Sequence, residues 1–449
     1  MKTLRDDTIA ALATAPGAAA VAVIRLSGRD ALSIARRVAG IDVQPRRAAL
    51  CDLVGLDGER IDRGLVLVFP APRSYTGEDV VELQVHGSPV VTDWLLETLY
   101  AHGARPAEPG EFTLRAFLND KLDLAQAEAV ADLIASGSRH AAQAALRSLS
   151  GRFSEAVDAA QAELTAQRVQ VEAWLDFPDE EIDRDSATRI ALGLDALLRR
   201  LERLVASAAE GRVLRDGLNV VIAGAPNAGK SSLMNRLAGH DAAIVTSVPG
   251  TTRDTLHEHL SLDGLPVHLV DTAGLREASD AVEAEGILRA QRALERADRV
   301  LWVSDAREEL AQAIASARAE VPNEVPFSVL RNKIDLVGAP PRAFEAAQAP
   351  ILEISALTGD GIDLVRAHLK TVAGFVPEAA GTFSARRRHV TALERATAHV
   401  RAARGEIYGA LEIAAEELRG AQAALAELTG ELSSDDLLGE IFSSFCIGK

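Results

Sequence analysis

Residues 224–231 read Gly-Ala-Pro-Asn-Ala-Gly-Lys-Ser, and this octapeptide constrains the fold more than any other part of the chain. It follows the apolar run Leu218–Ala223 and precedes the helix-like segment Ser232–Ala238. Strand, glycine-rich turn, Lys-Ser and helix together predict the phosphate-binding loop of a P-loop nucleotidase. Such a pattern can also arise by chance in a surface loop, but a strand and a helix flank it correctly here.

Two side chains of this loop have distinct expected roles. Lys230 should reach the terminal phosphates, and the Ser231 hydroxyl should ligate magnesium. Backbone N–H groups and the positive end of the helix should face the phosphates. The residues expected to contact the nucleotide here are Asn227, Ala228, Gly229, Lys230, Ser231 and Ser232.

Composition narrows the class of protein. A chain of 449 residues suggests about three domains. Its two cysteines, Cys51 and Cys446, form no disulfide framework, which favours a reducing compartment. We see neither a signal peptide nor an apolar run of membrane-spanning length, so we expect a cytoplasmic protein with no membrane partner. A net charge of −17 repels bulk nucleic acid, so RNA would need a local basic patch. Residues 46–47 and 386–389 are candidates, although solvated faces or linkers are the commoner interpretation.

The pattern of elements predicts an α/β chain in three parts. Residues 1–120 form an α/β domain, residues 121–212 and 378–449 form one all-helical domain split in sequence, and residues 216–375 form an inserted Ras-like P-loop domain. In the first part we expect strands at 19–26, 50–56, 64–69 and 80–85, with helices at 29–39 and 90–101.

Three further motifs indicate a guanine nucleotide. The strand 267–270 ends in Asp271, Thr272, Ala273 and Gly274, which suit a water-bridged magnesium and the γ-phosphate. Asn332, Lys333 and Asp335 follow the strand 327–330, and the Asp335 carboxylate can accept two hydrogen bonds from guanine. Ser355, Ala356 and Leu357 follow the strand 351–354 and would close over the base.

The segment between these motifs predicts a nucleotide-dependent switch. Its expected GTP contacts are Thr246, Ser247, Val248, Pro249, Gly250, Thr251 and Thr252. One of the two threonines should complete magnesium coordination, and we assign Thr252. Leu275 stands where Ras-like enzymes place a water-orienting glutamine, so another group must orient the water. Arg253 and Arg276 are near enough to be considered, but loop or interface charges are the simpler interpretation.

The motifs now described resemble those of the MnmE (TrmE) family of tRNA-modification GTPases. The G-domain segments 224–232, 249–254 and 271–277 match, as do 74–79, 116–124, 176–178 and the terminal Phe-Cys-Ile-Gly-Lys. The resemblance covers essentially the whole chain, and the split helical domain is the family's architecture.

This resemblance implies a potassium-activated GTPase whose G domains dimerise on binding GTP. The implied potassium ligands are Asn227, Thr246, Val248 and Thr251, and the implied catalytic residue is Glu283, which orients the attacking water. From the residues alone, a turn former is the less favoured interpretation of Asn227, and Glu283 is one carboxylate near a helix start.

The resemblance also implies a folate site in the first domain. The family binds 5-formyl- or 5,10-methylene-tetrahydrofolate there, and the matching positions are Arg25, Glu82, Lys121 and Lys449. The chain departs from the family's His-Gly-Gly-Pro at 86–89, where it has His-Gly-Ser-Pro. Cys446 is either a thiol near the modification site or a structural cysteine.

By resemblance, the chain forms a homodimer and acts with the FAD-dependent protein MnmG in a heterotetramer or larger complex. Together they would add a carboxymethylaminomethyl-type group to C5 of the wobble uridine of certain tRNAs. Two rivals stay open: a regulatory or ribosome-assembly GTPase, and a GTPase prenylated at Cys446, although Gly448 and Lys449 do not suit prenylation. His257 and His259 could hold zinc, but a surface pair is the simpler interpretation.

Overall fold

The computed structural model describes residues 7–176, 184–241, 257–271, 291–295, 297–374, 382–430, 435–443, 445 and 448. The chain divides into two compact units, which are described separately. The first comprises Met1–Ala131, Ser148–Leu198 and Arg395–Lys449, and the second comprises Asp132–Arg147 and Arg199–Glu394.

Six of the described strands form a mixed sheet in the first unit, in the order β3-β4-β5-β2-β1-β6. Their bounds are β1 Ile9–Leu12, β2 Ala19–Ser27, β3 Ala49–Val54, β4 Arg60–Phe69, β5 Val80–Gly87 and β6 Arg105–Pro106. Only the β1–β6 pair is parallel among them. The expected strands are confirmed, and the register places Arg25 of β2 directly opposite Glu82 of β5.

Two helices cover one face of this sheet. Helix α1 (Ala31–Ala39) buries Ile34 and Val38, which are four residues apart and therefore lie on one side of the helix. Helix α2 (Pro89–Ala101) begins with proline at its first position, where a missing N–H costs nothing. Both helices pack against buried side chains of these strands. Because successive side chains of a strand point to opposite faces, the intervening side chains point to the other face of the sheet.

The remaining described helices range from short to long, and the longer ones are rich in alanine. Their bounds are α3 Glu111–Leu118, α4 Leu124–Ala135, α5 Arg139–Leu149, α6 Arg152–Asp176, α7 Arg184–Asp216, α8 Lys230–Asp241, α9 Leu310–Glu320, α10 Ile362–Val372, α11 Arg387–Glu406, α12 Leu411–Thr429 and α13 Asp435–Ser443. In the first unit α6 packs on α12. Leu164 and Leu418 are fully buried there, and small alanines let two helices approach closely.

Seven of the described strands form the sheet of the second unit, in the order β12-β13-β11-β10-β7-β9-β8. Their bounds are β7 Leu218–Gly224, β8 His257–Leu262, β9 Leu265–Asp271, β10 Arg299–Asp305, β11 Phe327–Asn332, β12 Arg342–Ala346 and β13 Ala349–Glu353. The five central strands are parallel, and β8 and β12 are antiparallel edges. Apolar clusters cover both faces, as expected of a parallel sheet, so the α/β expectation is confirmed.

The carboxylate of Asp132 joins three segments of the second unit. It accepts hydrogen bonds from Arg215 Nε at 2.7 Å, Ser384 Oγ at 2.6 Å and Arg386 Nη2 at 3.2 Å. Arg215 lies in the last turn of α7, which leads into β7, and residues 384 and 386 lie on the chain that follows the last strand and helix of this unit's sheet. Asp132 thus ties the entry and exit of this sheet together. The interpretation of residues 386–389 as a solvated face or linker is wrong for Arg386, which is half-buried, and for His389, which is buried.

Candidate functional site

The loop between β7 and α8 requires glycine at two positions. Gly224 has φ of 132° and Gly229 has φ of 98°, values that side chains rarely allow. A Cβ on Gly224 would overlap the Val303 carbonyl, and one on Gly229 would overlap the Asn332 amide nitrogen. The loop therefore lies directly against the ends of β10 and β11, and leaves its backbone open to a ligand.

Lys230 is the first residue of α8, and its side chain folds back over the loop. Its Nζ donates to the carbonyl of Gly224 at 2.9 Å and to that of Ala225 at 2.8 Å. Ser231 follows in the first turn. An ammonium group and a helix N-terminus at one glycine-rich turn form an anion site, which fits the phosphates of a nucleotide. The Ser231 hydroxyl is an oxygen donor that fits the magnesium ion bound to those phosphates.

Asn332 connects the phosphate loop to the loop after β13. Its Nδ2 donates to the Ala228 carbonyl at 2.8 Å, and its Oδ1 accepts from the Ala356 N–H at 2.8 Å. The side chain is only 2% exposed, so each bond is made away from water. Asn332 therefore fixes the distance between two motifs that lie about 130 residues apart in sequence.

The next residue, Lys333, reaches the same phosphate loop. It has φ of 69°, and its Nζ donates to the Asn227 carbonyl at 2.7 Å and to Asp305 Oδ2 at 2.9 Å. Hydrogen bonds from Arg307, and also from Lys333, hold the pKa of Asp305 far below its usual range. Asn227 has φ of 58° and is exposed at the rim of the loop. Its amide is thus accessible to a cation.

Asp335 and Ser355 meet at the other end of the site. Ser355 Oγ donates to Asp335 Oδ1 at 2.6 Å, which orients the carboxylate. Ser355 is buried, whereas Leu357 is 75% exposed. The structure thus brings together the predicted phosphate, base and base-loop motifs. At the adjacent strand Asp271 is paired with Ile222 of β7, although its side chain is not described.

Several predicted nucleotide residues lie outside the described residues. They are the switch contacts Thr246, Ser247, Val248, Pro249, Gly250, Thr251 and Thr252, the residues Thr272, Ala273 and Gly274, and the catalytic candidate Glu283. The same holds for the side chains of His257 and His259.

A second candidate site lies on the face of the first sheet opposite α1 and α2. Arg25 donates from Nε at 3.0 Å and from Nη2 at 2.8 Å to Glu82 Oε1, and each side chain is 20% exposed. The Arg25 guanidinium also lies 5.4 Å from the centre of the Tyr75 ring and 5.8 Å from that of Phe112. A paired charge between two rings suits a flat, polar heteroaromatic ligand.

The loop 74–79 is fixed beside this pair by a buried ion network. Arg115, only 3% exposed, donates to the carboxylates of Asp7, Glu78 and Glu111. Ser27 donates to Glu78 at 2.7 Å from the neighbouring strand. Arg115 was not predicted from the sequence, because a charged residue on a helix gives no local sign of burial.

Lys121 lies on the other side of that loop. A Cβ on Gly77 would lie 3.4 Å from the Lys121 side chain, and Asn119 Nδ2 donates to the Thr76 carbonyl at 2.7 Å. The structure therefore places Lys121, Glu82 and Arg25 around one loop. Lys449 and Cys446 lie outside the described residues, but Gly448 is pressed against the Leu12 carbonyl at the end of β1.

Neither a membrane-spanning helix nor a metal-binding cluster is found in the part of the chain that is described. Within it, no helix has the length and apolarity needed to cross a membrane. Those same residues contain no group of three or more His, Cys, Asp and Glu placed to hold a metal. The described cysteine, Cys51, is buried and is not in a disulfide.

The fold and site define a P-loop nucleotide-binding domain in a chain that also holds a second α/β domain. A family model described as "GTP-binding protein TrmE N-terminus" matches residues 8–121, and one described as "MnmE helical domain" matches residues 124–446. The chain belongs to the MnmE (TrmE) family.

Relatives match over nearly their full length. The tRNA modification GTPase MnmE of Alkalilimnicola ehrlichii is 54% identical over 98% of this chain and 99% of its own. The protein of that name from Nitrosococcus oceani is 53% identical over 99% of this chain and 97% of its own. Among solved structures, a point variant of Aquifex aeolicus Era bound to GDP·AlF4⁻ is 26% identical, covering 40% of this chain and 65% of that chain with a TM-score of 0.27.

Proposed function

We propose that this chain is a potassium-dependent GTPase that modifies tRNA in the cytoplasm. With the FAD-dependent protein MnmG it would add a carboxymethylaminomethyl-type group to C5 of the wobble uridine. The observation that carries the GTPase part is the Asn332 bridge, which holds the phosphate loop and the base loop together beside Asp335. The names of the relatives support a tRNA substrate.

The residues of the nucleotide site suit hydrolysis. Lys230 and the N-terminus of α8 would stabilise charge on the phosphates, and Ser231 with Thr252 would hold magnesium, which supplies further charge stabilisation. The exposed amide of Asn227 is a hard oxygen donor that fits potassium, with backbone carbonyls of Thr246, Val248 and Thr251 as the other proposed ligands. Glu283 is the proposed residue that orients the attacking water.

The sheet-face cluster suits the folate. Arg25 would meet its anionic groups together with Lys121 and Lys449, and Glu82 would accept hydrogen bonds from the pterin. The bound folate supplies the one-carbon unit. Cys446 lies two residues before Gly448, which is seated at the edge of the same domain, so a thiol near this site is part of the proposal.

The proposed organisation is a homodimer that joins through the first domain and associates with MnmG. We divide the chain into a folate and dimerisation domain at 1–120, a helical domain at 121–212 and 378–449, and a GTPase domain at 216–375. GTP binding would pair two GTPase domains, and hydrolysis would release them and pass the movement through the helices.

Reconstitution tests this function. The full chain, the FAD-dependent partner, unmodified tRNA, methylene-tetrahydrofolate, glycine or ammonium, and GTP are combined in potassium buffer, and nucleosides are read by mass spectrometry. We expect a C5-modified wobble uridine from the wild type. Glu82→Gln should abolish modification while GTP turnover continues, and Arg63→Gln on the neighbouring strand is the matched control. Unmodified tRNA with the wild type would favour a regulatory or ribosome-assembly GTPase instead.

A further inference from the structure

Arg236 crosses from the phosphate-loop helix to the base loop. It lies in the second turn of α8 after Lys230. Its Nε donates to the Ala356 carbonyl at 3.3 Å, and its Nη2 donates to the Leu357 carbonyl. Two successive backbone carbonyls of the base loop are thus held by one guanidinium.

The outer part of the base loop has little other side-chain support. Ser355 is buried and bonded to Asp335, but Leu357 is 75% exposed and therefore adds no core packing. A cleft of about 360 Å³ separates α8 from the loop, with Ser232, Asn235 and Gly239 among its lining residues. Arg236 spans this space rather than filling a core, so its contribution is directional hydrogen bonding.

We infer that Arg236 is a positioning residue for guanine recognition. It holds the backbone of 356–357 at a set distance from the helix that carries Lys230 and Ser231. Asn332 fixes the inner side of the loop through the Ala356 N–H, and Arg236 fixes the outer side through the two carbonyls. The backbone of this loop would then be held at a set position beside the 6-oxo edge of the base. A planar fork with several donors suits two neighbouring carbonyls, whereas an ammonium is a single point of charge.

The inference rests on the proposed GTPase function, and nucleotide analogues distinguish a failure of the inference from a failure of that function. GDP and IDP carry the 6-oxo group, and 2-aminopurine riboside diphosphate lacks it. For Arg236→Ala we expect GDP and IDP to bind about five- to tenfold more weakly, through faster dissociation. The 2-aminopurine nucleotide should bind as it does to the wild type. For GTP, the rise in KM should exceed the fall in kcat.

Two further variants complete the test. Arg236→Lys keeps the positive charge but loses the planar fork of donors, so its GDP affinity should lie between those of the wild type and Arg236→Ala. The matched control is Arg318→Ala, because Arg318 also donates to a carbonyl, that of Ala347 at 2.6 Å, away from the nucleotide loops. Unchanged GDP binding by Arg236→Ala, or an equal loss for all three nucleotides, would overturn the inference. A wild type without preference for GDP over ADP would instead refute the proposed function.

Discussion

The bridge made by Asn332 gives the sharpest prediction. Asn332→Ala removes both hydrogen bonds and leaves the Ala228 carbonyl and the Ala356 N–H without this partner. The site is only 2% exposed, so water cannot easily replace the amide. Each buried group left unsatisfied costs about 1–3 kcal/mol, so we expect a total loss of about 2–6 kcal/mol. Even the lower figure corresponds to about a thirtyfold loss of GDP affinity if the ligand must restore the geometry.

Two measurements on the same variant separate a bridge from a simple base contact. Loss of a bridge should lower the free energy of unfolding in the absence of nucleotide, whereas loss of a simple base contact should lower only GDP affinity. Titration calorimetry with GDP and denaturant unfolding without it measure the two quantities. The matched control is Asn219→Ala, because Asn219 bonds Asp298 at 3.2 Å near the start of β7. If Asn332→Ala kept the stability of the nucleotide-free wild type, the bridge argument would be wrong.

Three further perturbations follow from other contacts. Burial, and secondarily the charge of Arg299, lower the pKa of His368 to about 4. Between about pH 4 and 6.5 the unfolded chain therefore binds more protons than the folded chain. The free energy of unfolding should fall as the pH drops through that window. Denaturant curves at several pH values should show this slope flattened in His368→Gln, and an unchanged slope would contradict the assignment. Gly110→Ala places a Cβ 2.6 Å from the Phe442 carbonyl at φ of 67°, so tRNA modification should fall while GTP turnover persists. Gly103→Ala is the control, because Gly103 has φ of 107° but is surrounded by open space. An equal loss of tRNA modification in Gly103→Ala would mean that backbone strain alone causes the effect. Asp132→Ala should cost about 2–4 kcal/mol of unfolding free energy, because three donors lose a buried acceptor, and a loss below about 0.5 kcal/mol would contradict this role of Asp132.

The sequence predicted the nucleotide loops well because their signals are local. Strand, glycine turn and Lys-Ser adjoin in the chain, and parallel strands bring their carboxyl ends to one edge. Asp335 and Ser355 therefore meet as their motifs require. The strands and helices of the first domain were predicted for a similar reason, since alternation and helical spacing are read within about ten residues.

Contacts between distant segments were not predicted. Asp132 binds residues 83 to 254 positions away, and the sequence around it is an ordinary alanine-rich helix. In the sequence, Arg236 is one basic residue in a helical segment, and the backbone carbonyls that it binds leave no signal in the sequence. Arg386 was misread for the same reason, because its acceptor lies on another helix. Whether such a charged side chain is exposed to water therefore depends on which group it contacts in the fold, and not on its residue type.

Our central proposal is that a potassium ion held by the phosphate loop stabilises the charge that develops on the phosphates during hydrolysis. It is tested most directly by GTP turnover in potassium and in sodium at equal ionic strength and magnesium, with Asn227→Ala beside the wild type. We expect the wild type to be at least about tenfold faster in potassium. Asn227→Ala should lose that stimulation while still binding GDP. Equal turnover of the wild type in the two salts would contradict the account.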